Sequence, residues 1–168
     1  MESRLDGRNT LITGGSAGIG KAIAKSFLTS GANVSIVARR SEVLTAAKAE
    51  IEAEGAVTGT SGKVIALSAD IRNSEECEKV IAKTQAAFGH VDVLVNNAGT
   101  SQRGDFLQVS DEIWQDDLDL KLFSAVRLCR LVIPGMRSRK WGRIINVLNL
   151  GAKVPNGGGA PTAVSRAA

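Results

Sequence analysis

The feature that most constrains this chain is the octet Thr13-Gly14-Gly15-Ser16-Ala17-Gly18-Ile19-Gly20, because of what flanks it. Before it lies Asn9-Thr10-Leu11-Ile12, short and β-capable; after it, Ile19, Ile23 and Phe27 recur every four residues, on one helical face. A glycine turn set between a strand and a helix is the context in which such a motif binds a dinucleotide. The spacing is G-x-x-x-G-x-G, and each glycine has a task. Gly14 lets the chain turn sharply off the strand. Gly18 leaves room for a pyrophosphate against the backbone, and Gly20 lets helix and strand pack closely. The helix N-terminus, with Ser16 and Ile19 beside it, offers free N–H groups and a positive dipole end to phosphate.

Strand-like and helix-like segments alternate along the rest of the chain. Strands are expected over 8–12, 33–38, 63–68, 91–96 and 142–148. Helices are expected over 18–30, 41–54, 74–88 and from Ser110 to near Pro134, with Ser41, Ser74 and Ser110 as N-caps. Gly31 reads as the C′ glycine of the first helix. The stretch 55–62, rich in glycine, serine and threonine, reads as a loop. Val64-Ile65-Ala66-Leu67 is apolar on both faces, as in a buried parallel sheet. Alternation of this kind predicts an α/β fold, a doubly wound parallel sheet with helices on both faces and the ligand at the carboxyl edge, where strand order reverses. One domain over 1–168 suits the length.

Composition removes several classes. No apolar run is long enough for a bilayer, and Met-Glu-Ser-Arg followed by a polar lead-in is not a signal peptide. One histidine excludes a metal site built on several imidazoles, and no metal is expected. Two cysteines, Cys77 and Cys129, far apart in predicted helices, point to a reduced, cytoplasmic setting. The formal net charge is +4. Its clearest cluster, Arg137, Arg139, Lys140 and Arg143 beside Trp141, reads as a solvated helix end rather than a nucleic-acid surface.

The end of the second strand selects the cofactor. An acid there binds a ribose diol, and an arginine accommodates a 2′-phosphate. Here the strand ends Ala38-Arg39-Arg40. Guanidinium forks pair well with phosphate oxygens, so the expectation is NADP(H) in preference to NAD(H), with Arg39 the better candidate and Arg40 second. The alternative is that both are simply exposed strand-end charges.

Taken together, these residues resemble the short-chain dehydrogenase/reductase family, and the resemblance covers 5–168. Asp70-Ile71 is similar to the family's adenine-contacting acid and its neighbour. Asn96-Asn97-Ala98-Gly99 is similar to its N-N-A-G motif beside the cofactor, and Gly142-Arg143-Ile144-Ile145-Asn146-Val147 to the lead-in to its catalytic serine. On local physics alone, Asp70 and Asn97 also fit simple turn formers. The resemblance implies a Rossmann fold, oxidoreductase activity on a small carbonyl or alcohol, and a homo-oligomer (dimer or tetramer) in which Trp114, Leu118 and Phe123 are core or interface residues. It also implies a chain that continues through a substrate-binding helix pair and further strands, so the C-terminal part of the fold is expected to be missing.

The family's chemistry rests on Asn, Ser, Tyr and Lys, and this chain contains no tyrosine. The four positions are occupied by Lys121, Asn149, Thr162 and Arg166. A threonine hydroxyl is too weak an acid to replace a phenol, but Thr162 and Asn149 can donate hydrogen bonds. Arginine is a poor proton relay, whereas a lysine pKa can be tuned downward by burial or a neighbouring cation. One reading makes Lys121 the general acid or base, its pKa lowered by Arg166, with Asn149 and Thr162 polarising a carbonyl. In the other, Lys121 points to solvent and the chain is a non-catalytic NADP-binding protein, a sensor or partner subunit.

Overall fold

The computed structural model describes residues 4–102, 104–155 and 158–168. Met1, at the start of the segment read as lacking a signal peptide, and Asn156 and Gly157 of the glycine-rich stretch lie outside the described residues. Five strands, β1 (Asn9–Thr13), β2 (Asn33–Ala38), β3 (Val64–Ser68), β4 (Val93–Asn96) and β5 (Arg143–Asn146), pair in parallel in the order β3-β2-β1-β4-β5. Helices α1 (Gly18–Thr29), α2 (Ser41–Thr58), α3 (Ser74–Phe88), α4 (Asp111–Leu118), α5 (Ser124–Ser138) and α6 (Thr162–Ala167) follow the strands. This is the doubly wound α/β sheet expected.

Period-two alternation divides the sheet between two apolar layers. Ile12, Ile36 and Val95 point to the side where α1 and α2 supply Ala24, Leu28, Leu44 and Ile51. Leu11, Val37 and Leu94 point to the side where α3 and α5 supply Cys77, Val80, Leu128 and Val132. Order reverses between β1 and β4, so the carboxyl ends of these two strands open the crevice in which such sheets bind ligands. Along the opposite edge a polar ladder fixes register. Asp92 accepts from the Asn9 N–H (3.1 Å), the Asn33 amide donates to Asn9 Oδ1 (2.9 Å), and the Lys63 N–H donates to Asn33 Oδ1 (3.0 Å).

Several local expectations need correction. The buried stripe of α1 is Gly20, Ala24 and Leu28, while Ile19 is 63% exposed. Helix α2 does not stop at residue 54 but runs through Gly55 to Thr58. Gly55 is buried against Leu28, whose Cδ2 lies 2.6 Å from where a Cβ would be, so the glycine serves close packing and not a turn. The cap of α3 is Asn73, whose Oδ1 accepts from the N–H groups of Glu75 (2.8 Å) and Glu76 (3.2 Å); Ser74 is its first helical residue, as Ser41 is of α2. β3 is an edge strand and only half-buried, so its apolar run marks one covered face. β5, the other edge, is exposed at all four positions.

The expected single helix from Ser110 is three pieces. A π-helical turn, Asp119–Phe123, separates α4 from α5, and α5 continues through Pro134 to Ser138. Such a turn shifts the residues it contains around the helix axis, often at functional sites. Here it contains Lys121, which is buried. Of the basic cluster, Arg137, Arg139 and Lys140 sit at the C-terminal end of α5 and Arg143 opens β5; Arg139 donates to Val91 O (2.8 Å), and the exposed Arg143 lies over the Trp141 ring (5.0 Å), which Arg8 also covers (3.7 Å).

The β1–β4 junction is held by Thr13, which is 1% exposed. Its hydroxyl accepts from the N–H groups of Asn97 (3.0 Å) and Ala98 (3.0 Å) and reaches Val95 O (3.3 Å). Thr13→Val keeps the shape and orphans both donors. It should lower unfolding free energy in urea by about 1–3 kcal/mol per orphaned group, whereas Thr13→Ser should cost little.

Candidate functional site

At the carboxyl edge, the glycine turn is held from two sides. The N–H groups of Gly14 (2.8 Å) and Gly15 (3.2 Å) both donate to Val37 O. The Asn97 side-chain amide donates to the carbonyls of Thr13 (3.0 Å) and Gly14 (3.3 Å). A Cβ on Gly14, which has φ +67°, would lie 2.9 Å from that amide and 3.0 Å from Ala98 Cα; one on Gly20 would overlap Gly14 O. Gly14 and Gly20 are therefore glycines because chain approaches chain. Gly18, with φ +52°, faces open space, as a backbone cleared for a ligand requires. Helix α1 begins after Ala17 with no side-chain cap and no acid in its first turn, leaving its N–H groups for an anion.

Beside this turn lies a cavity of about 510 Å³. Of the residues singled out for the cofactor, Gly14, Ser16, Arg39, Arg40, Asp70, Ile71, Ala98 and Gly99 line it. Gly18, Ile19, Gly20 and Asn97 do not. Arg39 and Arg40 are exposed. Asp70 is held by Arg72, whose Nη2 (2.6 Å) and Nε (3.0 and 3.1 Å) donate to its carboxylate, and this hydrogen bonding keeps its pKa below the ordinary carboxylate range. Arg72 also pairs with Asp116 (2.9 Å), and the charge of Arg39 adds to the downward pull on the Asp70 carboxyl.

The four substituted positions do not share one cavity. Asn149 and Thr162 line a pocket of about 250 Å³ with Leu150, Gly151 and Val154. Lys121 and Arg166 line another, of about 450 Å³, with Asn96, Cys129 and Leu148. What joins them is a buried polar cluster. Lys121 Nζ donates to Asp117 Oδ1 (2.5 Å) and to Thr162 Oγ1 (2.8 Å). Ser165 Oγ donates to Asp117 Oδ2 (2.6 Å), and the Gln102 N–H donates to Thr162 Oγ1 (2.9 Å). The Lys121 and Asp117 side chains have 0% exposure.

The solvent-facing reading of Lys121 is thus corrected. Burial pushes its pKa below the ordinary lysine value; Asp117 opposes this, and Arg166 adds a smaller push in the same downward direction. Burial, not Arg166, is the leading cause. Arg166 donates to Val147 O (2.6 Å), its guanidinium fills the space a Cβ on Gly99 would take, and its Nε is buried without a partner. Burial also lowers its pKa.

Sequence reasoning did not single out Thr13 as the pin, nor Asp117 and Ser165. The signal for Asp117 was present as an acid four residues before Lys121, a spacing that puts both on one helical face. Such a pair is ordinarily solvated; here α6 covers it, with Thr162 on Lys121 and Ser165 on Asp117. Among the described residues no group of three or more His, Cys, Asp or Glu is placed to hold a metal, and no helix is long and apolar enough to cross a membrane.

A family model described as short chain dehydrogenase matches residues 8–168. The chain belongs to the short-chain dehydrogenase family. A short chain dehydrogenase of Pseudocercospora fijiensis is 35% identical over 158 residues, covering 93% of this chain and 49% of that protein. The crystal structure of L-sorbose reductase from Gluconobacter frateurii, complexed with NADPH and L-sorbose, superposes with a TM-score of 0.92 at 34% identity, covering 99% of this chain and 62% of that one. A metagenomic short-chain oxidoreductase in complex with NADP gives a TM-score of 0.89 at 33% identity, covering 98% and 72%. The chain spans about half the length of the curated relatives it matches.

The buried pair makes a stability prediction. Asp117→Leu strands an ammonium in the interior and should cost about 3–5 kcal/mol in urea unfolding, while Asp117→Leu combined with Lys121→Met should recover most of it.

Proposed function

We propose that this short-chain dehydrogenase binds NADP(H) and acts as an oxidoreductase, moving hydride between the cofactor and a small, uncharged carbonyl compound or alcohol. The observation that carries the reading is the 510 Å³ cavity bounded at one end by the glycine turn and at the other by Arg39 and Arg40. The residues present fit the cofactor. Gly14, Ser16, Gly18, Ile19 and Gly20 present the α1 N-terminus to the pyrophosphate, and Arg39, with Arg40 second, takes the 2′-phosphate. Asp70 and Ile71 lie at the adenine end, and Ala98 and Gly99 form the wall beside the β4 edge, with Asn97 acting through the glycine turn that its amide holds. When bound, the nicotinamide supplies hydride. Asn149 and Thr162 hold the substrate oxygen at the mouth of the 250 Å³ pocket, whose remaining lining carries no charge.

NADP complexes among the structural neighbours support a nicotinamide cofactor; the preference for NADP(H) over NAD(H) rests on the arginines. A cytoplasmic location is proposed on the two free cysteines. A dimer or tetramer is proposed on the family resemblance together with the 40% exposure of Phe123 beside α5. The second reading, a non-catalytic NADP-binding protein, is favoured by the lack of a phenol and by the pairing of Lys121 with Asp117.

Arg39→Asp should weaken NADPH binding about 10- to 100-fold, the worth of a charge-assisted contact, and leave NADH binding little changed. Titration of cofactor fluorescence measures both, and equal weakening of the two would overturn the 2′-phosphate assignment. Consumption of NADPH with benzaldehyde, cyclohexanone and 2-pentanone separates the enzyme from the non-catalytic reading.

A further inference from the structure

The buried cluster on α4, the π turn and α6 holds more polar chemistry than packing α6 requires. Thr162 Oγ1 receives two donors, the Lys121 ammonium at 2.8 Å and the Gln102 N–H at 2.9 Å. A hydroxyl has two acceptor sites and one hydrogen. With both acceptor sites taken, only the hydrogen remains to be given. Thr162 lines the 250 Å³ pocket together with Asn149, so that hydrogen has a place to go. Behind it, Lys121 holds an exchangeable proton, and its position is set by Asp117 Oδ1 at 2.5 Å. Asp117 is oriented in turn by Ser165 Oγ at 2.6 Å.

We propose that Thr162 is the proton-transfer residue of this site, passing a proton between the Lys121 ammonium and the substrate oxygen, with Asp117 and Ser165 as positioning residues. The proposal rests on the oxidoreductase reading above and supplies the acid that reading lacks. A threonine is too weak an acid to act alone. As a conductor it needs only to release its proton while receiving another.

In the reductive direction a hydride adds to the carbonyl carbon, and the C=O π pair moves onto oxygen. That oxygen takes the Thr162 proton, breaking the Thr162 O–H bond, as Oγ1 takes a proton from Lys121 Nζ. Lys121 is left as a neutral amine, and Asp117 remains a carboxylate throughout. Once the product leaves, the amine recovers its proton from water in the 250 Å³ pocket, by the same relay through Thr162. The oxidative direction runs the same transfers backward. The charged groups facing Lys121 are Asp117 from α4 and Arg166 from α6. Burial lowers its pKa while Asp117 raises it, so reduction should persist below a Lys121 pKa lying under the ordinary ~10.4 and fall as pH rises through it.

The test uses the whole chain with NADPH and the three carbonyl compounds named above. The wild type should show kcat/KM falling on the alkaline side with a single pKa. Thr162→Val should lose about 100-fold or more in kcat while binding NADPH as tightly as the wild type, and Thr162→Ser should retain most activity. Asp117→Asn removes the anion that supports the ammonium and should move the alkaline limb to lower pH, a change that loss of packing alone would not produce. Thr162→Val with wild-type turnover would overturn the relay and leave the oxidoreductase reading standing. A flat alkaline profile in the wild type would overturn it too, even where Thr162→Val does not fold. NADPH binding without turnover of any carbonyl compound would remove the oxidoreductase reading and the relay with it.

Discussion

One hydroxyl, that of Thr13, joins the two strands on which the ligand edge depends. β1 and β4 carry the chain into opposite halves of the sheet, and at their carboxyl ends both must leave the plane without exposing backbone groups to an apolar interior. Thr13 resolves this by accepting the N–H groups of both Asn97 and Ala98, while the Asn97 amide returns two hydrogen bonds to the backbone of the glycine turn. The two segments thereby become one rigid corner. Gly14 and Gly20 are consequences of that corner, since any side chain at either would meet backbone that cannot retreat. The same corner sets the place of Gly99, and so the place of the Arg166 guanidinium that packs against it.

The polar cluster beyond Gly99 stands on different energetics. A buried ion pair gains Coulomb energy but gives up the hydration of both groups, and it is tolerated when the remaining hydrogen-bonding positions are filled. Asp117 meets that condition, with Lys121 on one oxygen and Ser165 on the other. Lys121 meets it in part, through Asp117 and Thr162. With Thr162 and Ser165 the cluster spans three elements, α4, the π turn and α6, and fixes α6 against the π turn. Lys121 lies in the π turn and on the buried stripe that runs from Asp117 through Ser124 to Leu128.

Much of this was legible in the sequence, for identifiable reasons. Strand and helix alternation, the glycine spacing and the strand-end arginines are local signals, and the sheet, the turn and the cavity follow from them. What escaped were features decided by tertiary context. Gly55 resembles a loop glycine until Leu28 is seen against it. Ser74 resembles a cap until Asn73 is seen to take both N–H groups. The half-exposure of β3 depends on its being an edge, which no property of Val64-Ile65-Ala66-Leu67 encodes. Asp117 and Lys121 show the limit most sharply, since the same spacing on a regular helix describes a solvated pair.

The distribution of charge ties the two ends of the site together. At the strand-end side of the cavity, Asp70 and Asp116 share Arg72 and leave one negative charge over, so with Arg39 and Arg40 that side carries one positive charge in excess. Partly screened by solvent, that excess attracts an anionic ligand more than it stabilises the fold. At the Gly99 side, Asp117 cancels Lys121, and the charge left over belongs to Arg166, half-buried and held by a single backbone carbonyl. In a poorly solvated setting a fixed cation of this kind acts at longer range than one in water. It raises the cost of a second cation beside it and lowers the cost of negative charge developing nearby. In the proposed relay both effects favour giving up a proton from Lys121 at the moment a substrate oxygen becomes negative. The same proposal places the acid one residue deeper than a phenol would, with the Thr162 hydroxyl as its outlet.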